Sequence, residues 1–212
     1  MAAKLDFACD CGAVKGVCRD AGGRMGIRVV CYCADCQAFA HFLQCEDEYL
    51  DAAGGSDIYQ TSPSRLEVTE GMDRLKSVVL GPSARLHRFY ASCCMTPIVN
   101  TIPGRKLPFA GTLARNYDAA QREEILGAPK TAVFAKYAQG EPVTKARVAT
   151  PFLILDLMRR ATAEWMSGKS KENVFLDAED DGSITPRILT AEERAALDAK
   201  AVASARERAG RA

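Results

Sequence analysis

All nine cysteines of this 212-residue chain lie between Cys9 and Cys94, and seven of them fall into three tight motifs. These are Cys9-Asp10-Cys11-Gly12, then Cys31-Tyr32-Cys33-Ala34-Asp35-Cys36, and finally the adjacent pair Cys93–Cys94. Sulfurs two or three residues apart close strained rings if oxidised, whereas a tetrahedral zinc accepts such spacings readily. Side chains at i and i+2 of an extended segment share a face, so Cys9 and Cys11 are expected to point together. Gly12 permits a sharp turn that brings amide groups towards a metal-bound sulfur. The chemistry expected from these residues is thiolate metal binding, with zinc as the ion.

Seven ligands are one short of closing two tetrahedral sites. A four-plus-three division matches the contrast between a structural zinc, closed by four protein ligands, and a catalytic zinc that keeps one position open. We assign Cys9, Cys11, Cys93 and Cys94 to the closed site and Cys31, Cys33 and Cys36 to the open, catalytic one. Spacing by itself does not choose this division. A single ribbon joining Cys9 and Cys11 to Cys33 and Cys36 has comparable spacing, and His41 is an alternative fourth ligand for the trio. Asp35 and His41 are also candidate proton relays. Cys18 and Cys45 read as small buried apolar residues. Three thiolates on a divalent zinc leave one net negative charge, so such a centre activates water poorly. It suits an incoming thiol or thiol adduct better than hydrolysis.

The elements that must position these cysteines differ between the two halves. Up to about residue 113, short β-prone runs alternate with turns: Ile27-Arg28-Val29-Val30, Arg65 to Thr69, Ser77 to Leu80 and Leu86 to Tyr90, with Gly81-Pro82 as a break. A helical turn from Ala34 to Cys45 would pack Phe39, Phe42 and Leu43. His87 lies inside an alternating strand as a surface or packing residue. The second half reads as mostly helix. Asp118 with Gln121 opens a helix that Gly127 ends, and Pro151 to Ser167 carries apolar residues at helical spacing, with Phe152 to Met158 and Trp165 expected in the core. Asn173 to Leu176 and Ile184 to Pro186 suggest a hairpin across an acidic turn. Thr190-Ala191-Glu192-Glu193 is a capping box opening a last helix, whose alanine-rich tail is expected to project and fray. The expected organisation is therefore an α+β chain, with a zinc-binding, mainly β domain over 1–113 and a mostly helical extension over 114–212 packed on it.

Composition narrows the function classes. With 28 basic and 27 acidic residues the formal net charge is +1, which offers no field for phosphates, so no nucleic-acid partner is expected. No run approaches the ~20 apolar residues of a membrane span, and the first residues carry no export signal. Cysteine density without an export signal, in an odd number, fits a reducing, cytoplasmic setting.

Three of these motifs in order resemble a known family. Cys9-x-Cys11-Gly12-x-Val14, Cys31-x-Cys33-x-x-Cys36-Gln37, and Arg88-Phe89 leading to Cys94-x-Thr96 are similar to the glutathione-dependent formaldehyde-activating enzymes, a family that includes centromere protein V-like proteins. Gly54-Gly55-Ser56-Asp57-Ile58 and Leu66-x-Val68-x-x-Gly71 sit where that family has its middle strands. The likeness covers roughly residues 5–113, and the helical half resembles a longer subfamily of undefined function. It implies a zinc-bearing β-tent fold, one structural zinc on four cysteines, and a second zinc on Cys31, Cys33 and Cys36. The implied activity is that of a carbon–sulfur lyase joining glutathione to formaldehyde as S-hydroxymethylglutathione, with a small thiol or its aldehyde adduct as partner. The family's third motif is Phe-Cys-x-x-Cys-Gly-Thr, whereas this chain has Phe89-Tyr90-Ala91-Ser92-Cys93-Cys94-Met95-Thr96, so both adjacent cysteines reach one zinc only across a local kink. The alternative function, from another class, is a zinc-stabilised binding module without catalysis.

Overall fold

In strand β4 (Ser56–Thr61), Ile58 packs with α-helical side chains on one face of a sheet while Tyr59 packs with a second sheet on the other. That alternation is the plan of the whole molecule. The computed structural model describes the backbone of residues 3–210 and the side chains of residues 3–205. The strands are β1 (Ala3–Ala8), β2 (Lys15–Ala21), β3 (Ile27–Cys31), β4, β5 (Leu66–Glu70), β6 (Leu75–Val79), β7 (His87–Ala91), β8 (Thr96–Thr101), β9 (Ala110–Leu113), β10 (Thr131–Val133) and β11 (Arg187–Ile188). The α-helices are α1 (Ala34–Leu43), α2 (Glu46–Tyr49), α3 (Ala119–Ile125), α4 (Thr150–Met166), α5 (Val174–Asp180) and α6 (Ala191–Gly210). This is the α+β class expected, with a mainly β first half and helices α4–α6 near the end.

Two sheets organise the core. A three-stranded antiparallel sheet runs β1-β2-β5, and an eight-stranded one runs β10-β3-β4-β9-β8-β7-β6-β11. The six central strands pair antiparallel, while β10 and β11 add to the edges in parallel with β3 and β6. Both edge strands come from beyond residue 113, so the later half completes the large sheet as well as covering it. Leu5, Phe7 and Leu66 of the small sheet meet Tyr59, Phe89 and Val99 of the large one. On the opposite face Val29, Val78 and Leu113 meet Phe39 and Leu43 of α1 and Leu197 of α6.

The strands expected around Val29, Val68, Val78 and Phe89 all form, within a residue or two at their ends. Helix α4 covers the expected span, and α3 opens as expected, with the Asp118 carboxylate accepting from the Gln121 amide at 3.0 Å. The capping box at Thr190 is reciprocal: Glu193 N–H donates to Thr190 Oγ1 at 3.2 Å, and Thr190 N–H donates to the Glu193 carboxylate at 2.9 Å.

Three expectations are corrected. The segment after Asn173 is not a hairpin arm but α5. Asn173 caps it by accepting from the amides of Phe175 and Leu176, and Phe175 buries its ring against Phe89 at 5.3 Å. The C-terminal helix is docked as far as residue 201 and does not project there, while the side chains after residue 205 lie outside the described residues. Leu197 and Ala201 are buried, and the short side chains of α6 let it approach α1 closely. On α4, the side chains of Phe152, Leu155 and Trp165 face outward, whereas Arg160, Ala161 and Glu164 face inward. Periodicity located a helical stripe but assigned the wrong face to the core. The buried face is held by polar contacts instead: the Arg65–Glu164 ion pair at 3.0 Å, and Arg160 Nη1 donating to Gln60 O at 3.3 Å. No helix among the described residues is long and apolar enough to cross a membrane.

Candidate metal centres

The chain draws Cys9, Cys11, Cys93 and Cys94 into one group and Cys31, Cys33 and Cys36 into another, with the sulfurs of each group within 4.8 Å of one another. The single-ribbon pairing of Cys9 and Cys11 with Cys33 and Cys36 is not formed. All nine cysteines are free thiols.

The four-cysteine group is made of two facing turns. β1 ends at Ala8, and Cys9–Cys11 lie in the turn that follows rather than in an extended segment. Gly12 has φ +74° and its N–H donates to Cys9 O at 2.8 Å, which tightens the turn. The Val14 amide then donates to Cys9 Sγ at 3.2 Å, the amide–sulfur contact that the glycine was expected to allow. The adjacent pair sits in the β7–β8 connection. There Met95 takes a left-handed φ of +56°, the kink needed for neighbouring cysteines to face one point. Sulfur separations are 3.6 Å for Cys9–Cys11, 3.9 Å for Cys9–Cys93, 3.3 Å for Cys11–Cys93 and 3.8 Å for Cys93–Cys94. A tetrahedral zinc with Zn–S of about 2.3 Å sets its sulfurs about 3.8 Å apart, so the group fits that ion. Thr96 fastens the turns together: its Oγ1 accepts from the Asp10 amide at 3.0 Å and lies 3.1 Å from Cys94 Sγ. Although partial burial raises the Cys94 pKa, hydrogen bonds with Thr96, Cys11 and Cys9 outweigh it and bring this thiol down to about 7. Cys11 and Cys93 are exposed, so the centre lies at the surface.

The trio is built differently. Cys31 is the last residue of β3, Cys33 is the N-cap of α1, and Cys36 lies in its first turn. The Cys33 sulfur accepts from the Cys36 amide at 3.4 Å, the usual role of an N-cap oxygen, and a helix N-terminus favours negative charge there. Cys31 Sγ is 3.4 Å from Cys33 Sγ and 3.6 Å from Cys36 Sγ. Hydrogen bonding with Cys31 and Cys33 holds Cys36 well below the usual thiol range against the pull of burial, and the nearby Arg88 guanidinium adds to this. These sulfur separations also match the edge of a zinc tetrahedron, with three of its corners filled. Among the described residues no fourth cysteine, histidine or carboxylate joins the group.

Neither candidate relay enters this sulfur group. His41 is buried with Nδ1 3.1 Å from Glu46, and Nε2 has no partner. Asp35 is held by Arg194 of α6 at 2.7 Å. Cys18 and Cys45 are buried, and burial pushes both thiols up to about 12, as befits apolar packing residues. His87 pairs with Glu179 of α5 at 2.6 Å. Arg194 carries no local signal in the sequence, and Arg88 stands there only within the third motif. The available signal was a cation inside the apolar alternation of β7. A cavity of about 790 Å³ touches Cys9 and is bordered by Asp10, Lys15, Arg115, Asn116 and Arg122. It lies beside the four-cysteine centre.

No curated protein matches this chain. The model of a family of unknown function (DUF6151) matches residues 1–180, a span that takes in both sulfur groups and ends before α6. The chain belongs to that family.

Proposed function

We propose that the protein binds two zinc ions, one at each sulfur group, and is a carbon–sulfur lyase acting on a small thiol adduct of the glutathione–formaldehyde type. The observation that carries this reading is the unequal ligand count: four sulfurs converge at one centre and three at the other. The likeness of the three cysteine motifs to the formaldehyde-activating enzymes supports it. Zinc held by Cys31, Cys33 and Cys36 would supply a soft, electron-rich centre with room for one further sulfur and little power to activate water. The chain's own residues hold this site in place. β3 fixes Cys31, the α1 N-cap fixes Cys33, and the first helical turn fixes Cys36, so the three sulfurs are set on rigid elements rather than on loops. Beside the Cys33–Cys36 turn, Arg194 of α6 holds Asp35 at 2.7 Å and ties α6 to the start of α1. In the reaction, the S–H of the thiol adds across the aldehyde carbonyl. A carbon–sulfur bond forms, the carbonyl electron pair moves to oxygen, and the thiol proton ends there; the reverse direction restores both reactants.

Metal analysis of the full chain tests this. We expect two zinc ions per chain, one removed faster by chelator, and acceleration of S-hydroxymethylglutathione formation that is lost with Cys33→Ser. One zinc per chain, or two with no effect on any thiol–aldehyde adduct, would refute the enzyme. A second reading, a zinc-stabilised binding module, draws on the burial of Cys31 and Cys36, since a buried trio resembles a structural staple.

A further inference from the structure

Arg88 is a buried cation with almost no charge compensation from carboxylates. It sits in β7, in the interior of the large sheet, and is 1% exposed. Nη1 donates to the neutral amide oxygen of Asn100 at 3.1 Å, and the guanidinium stacks over the Phe39 ring at 5.3 Å. Nη2 is buried and makes no hydrogen bond. The one carboxylate within ion-pair reach among the described residues is Asp35, at 4.0 Å. Asp35 is partly exposed and lies much closer to Arg194, at 2.7 Å. A buried, unpaired guanidinium is strongly unfavourable, so native proteins place an anion against it. What stands beside Arg88 is the sulfur trio: the guanidinium reaches Asp35, which lies between Cys33 and Cys36, and it stacks on Phe39, three residues beyond Cys36 on α1.

We infer that Arg88 is the counter-ion of the Cys31/Cys33/Cys36 centre, a positioning residue whose charge is balanced mainly by the metal-bound thiolates, with Asp35 at 4.0 Å engaged more closely by Arg194. The inference rests on the metal-binding part of the function proposed above. Two positive charges from zinc and one from Arg88 balance three thiolates, so the centre is neutral as a unit and is stable in a buried place. The four-cysteine centre has exposed members, Cys11 and Cys93, and water can screen its excess charge. Arg88 therefore acts selectively on the trio, through charge and through the vacant donor on Nη2.

Titration of the full-length, metal-free protein with Zn²⁺, and with Co²⁺ for its thiolate absorption bands, tests the assignment. The wild type is expected to take up two equivalents. Arg88→Gln should bind one equivalent as the wild type does and the other about 10- to 100-fold more weakly, the usual cost of losing an outer partner of a metal ligand. Arg88→Lys, which keeps the charge, should recover most of that loss. Equal affinities in Arg88→Gln and wild type, or an Arg88→Lys as weak as Arg88→Gln, would overturn the counter-ion role while leaving the metal sites standing. Uptake of a single equivalent by the wild type removes the two-centre reading and this inference together. If Arg88→Gln does not fold, nitrogen NMR of the wild-type guanidinium decides. Its Arg88 resonance should move as the second equivalent of Zn²⁺ is added, and an unmoved resonance overturns the proposal.

Discussion

The two sulfur centres invert the usual link between ligand count and exposure. The four-cysteine group has a full set of ligands yet lies at the surface, in two turns that leave Cys11 and Cys93 exposed. The trio is one ligand short yet is buried under α1, with α6 packed alongside. The difference follows from what each centre fastens. Turns have backbone groups that must face water or cap one another, so a zinc joining two turns sits at a rim and ties β1 to the β7–β8 connection. A strand end meeting a helix N-terminus sits where layers meet, and the sheet, α1 and α6 close over it. A vacant coordination position is thus distinct from a position open to solvent.

Breaking the closed centre should have the largest effect. Cys9→Ser removes a buried ligand and the acceptor for the Val14 amide, and is expected to lower Tm by roughly 10 °C or more, with one metal equivalent lost. An unchanged melting curve would mean that the surface centre is not the structural one. Cys33→Ser should separate the centres further. Calorimetry and metal analysis should show the trio's equivalent lost with a Tm change under roughly 4 °C, because strand and helix still pack through Phe39 and Leu43. A collapse as large as that of Cys9→Ser would make the trio the structural staple.

Smaller effects test how α6 covers the trio. Arg194→Ala removes the partly exposed ion pair with Asp35. It should cost about 1 kcal/mol or less in chemical denaturation while raising the rate at which chelator strips the second metal equivalent. An unaltered stripping rate would show that water reaches the trio by another edge. The mildest test is pH. In the metal-free protein burial pushes the Cys94 thiol up, but hydrogen bonds with Thr96, Cys11 and Cys9 together bring it down to about 7. Taken alone, the depressed pKa of Cys94 adds stability that is complete above the unfolded thiol value and is lost as pH falls through about 7, whereas Cys9 and Cys93, pushed up by burial in the same cluster, act in the opposite sense. Mass-spectrometric alkylation should find Cys94 half-reactive near pH 7, and Thr96→Val should move that midpoint upward. A midpoint near that of an ordinary thiol would remove the Thr96 contribution.

Much of the molecule was legible in the chain because its signals are local. Period-two alternation marked β5 and β7, and the capping residues Asp118 and Thr190 placed two helix starts to the residue. The three cysteine motifs announced the sulfur donors, because close spacing needs little help from the fold. Elsewhere local patterns pointed astray. Asn173 to Leu176 looks like a strand until its cap and the Phe175–Phe89 contact are known. The apolar stripe of α4 pointed to the core, yet the helix docks through Arg160 and Glu164, whose partners lie about a hundred residues away in sequence.

By itself the sequence determined that sulfur would be gathered at three points, since a Cys-x-Cys or Cys-x-x-Cys holds its own members together. Which points would share a centre was decided by tertiary structure. The pairing of Cys9 with Cys93 spans 84 residues and depends on where β1 ends relative to the β7–β8 turn. The burial of the trio, the burial of Arg88 beside it and the packing of α6 on α1 are likewise products of tertiary structure. Local covalent spacing fixes which donors are neighbours, whereas only the stacking of sheets and helices fixes which charges are left to balance one another.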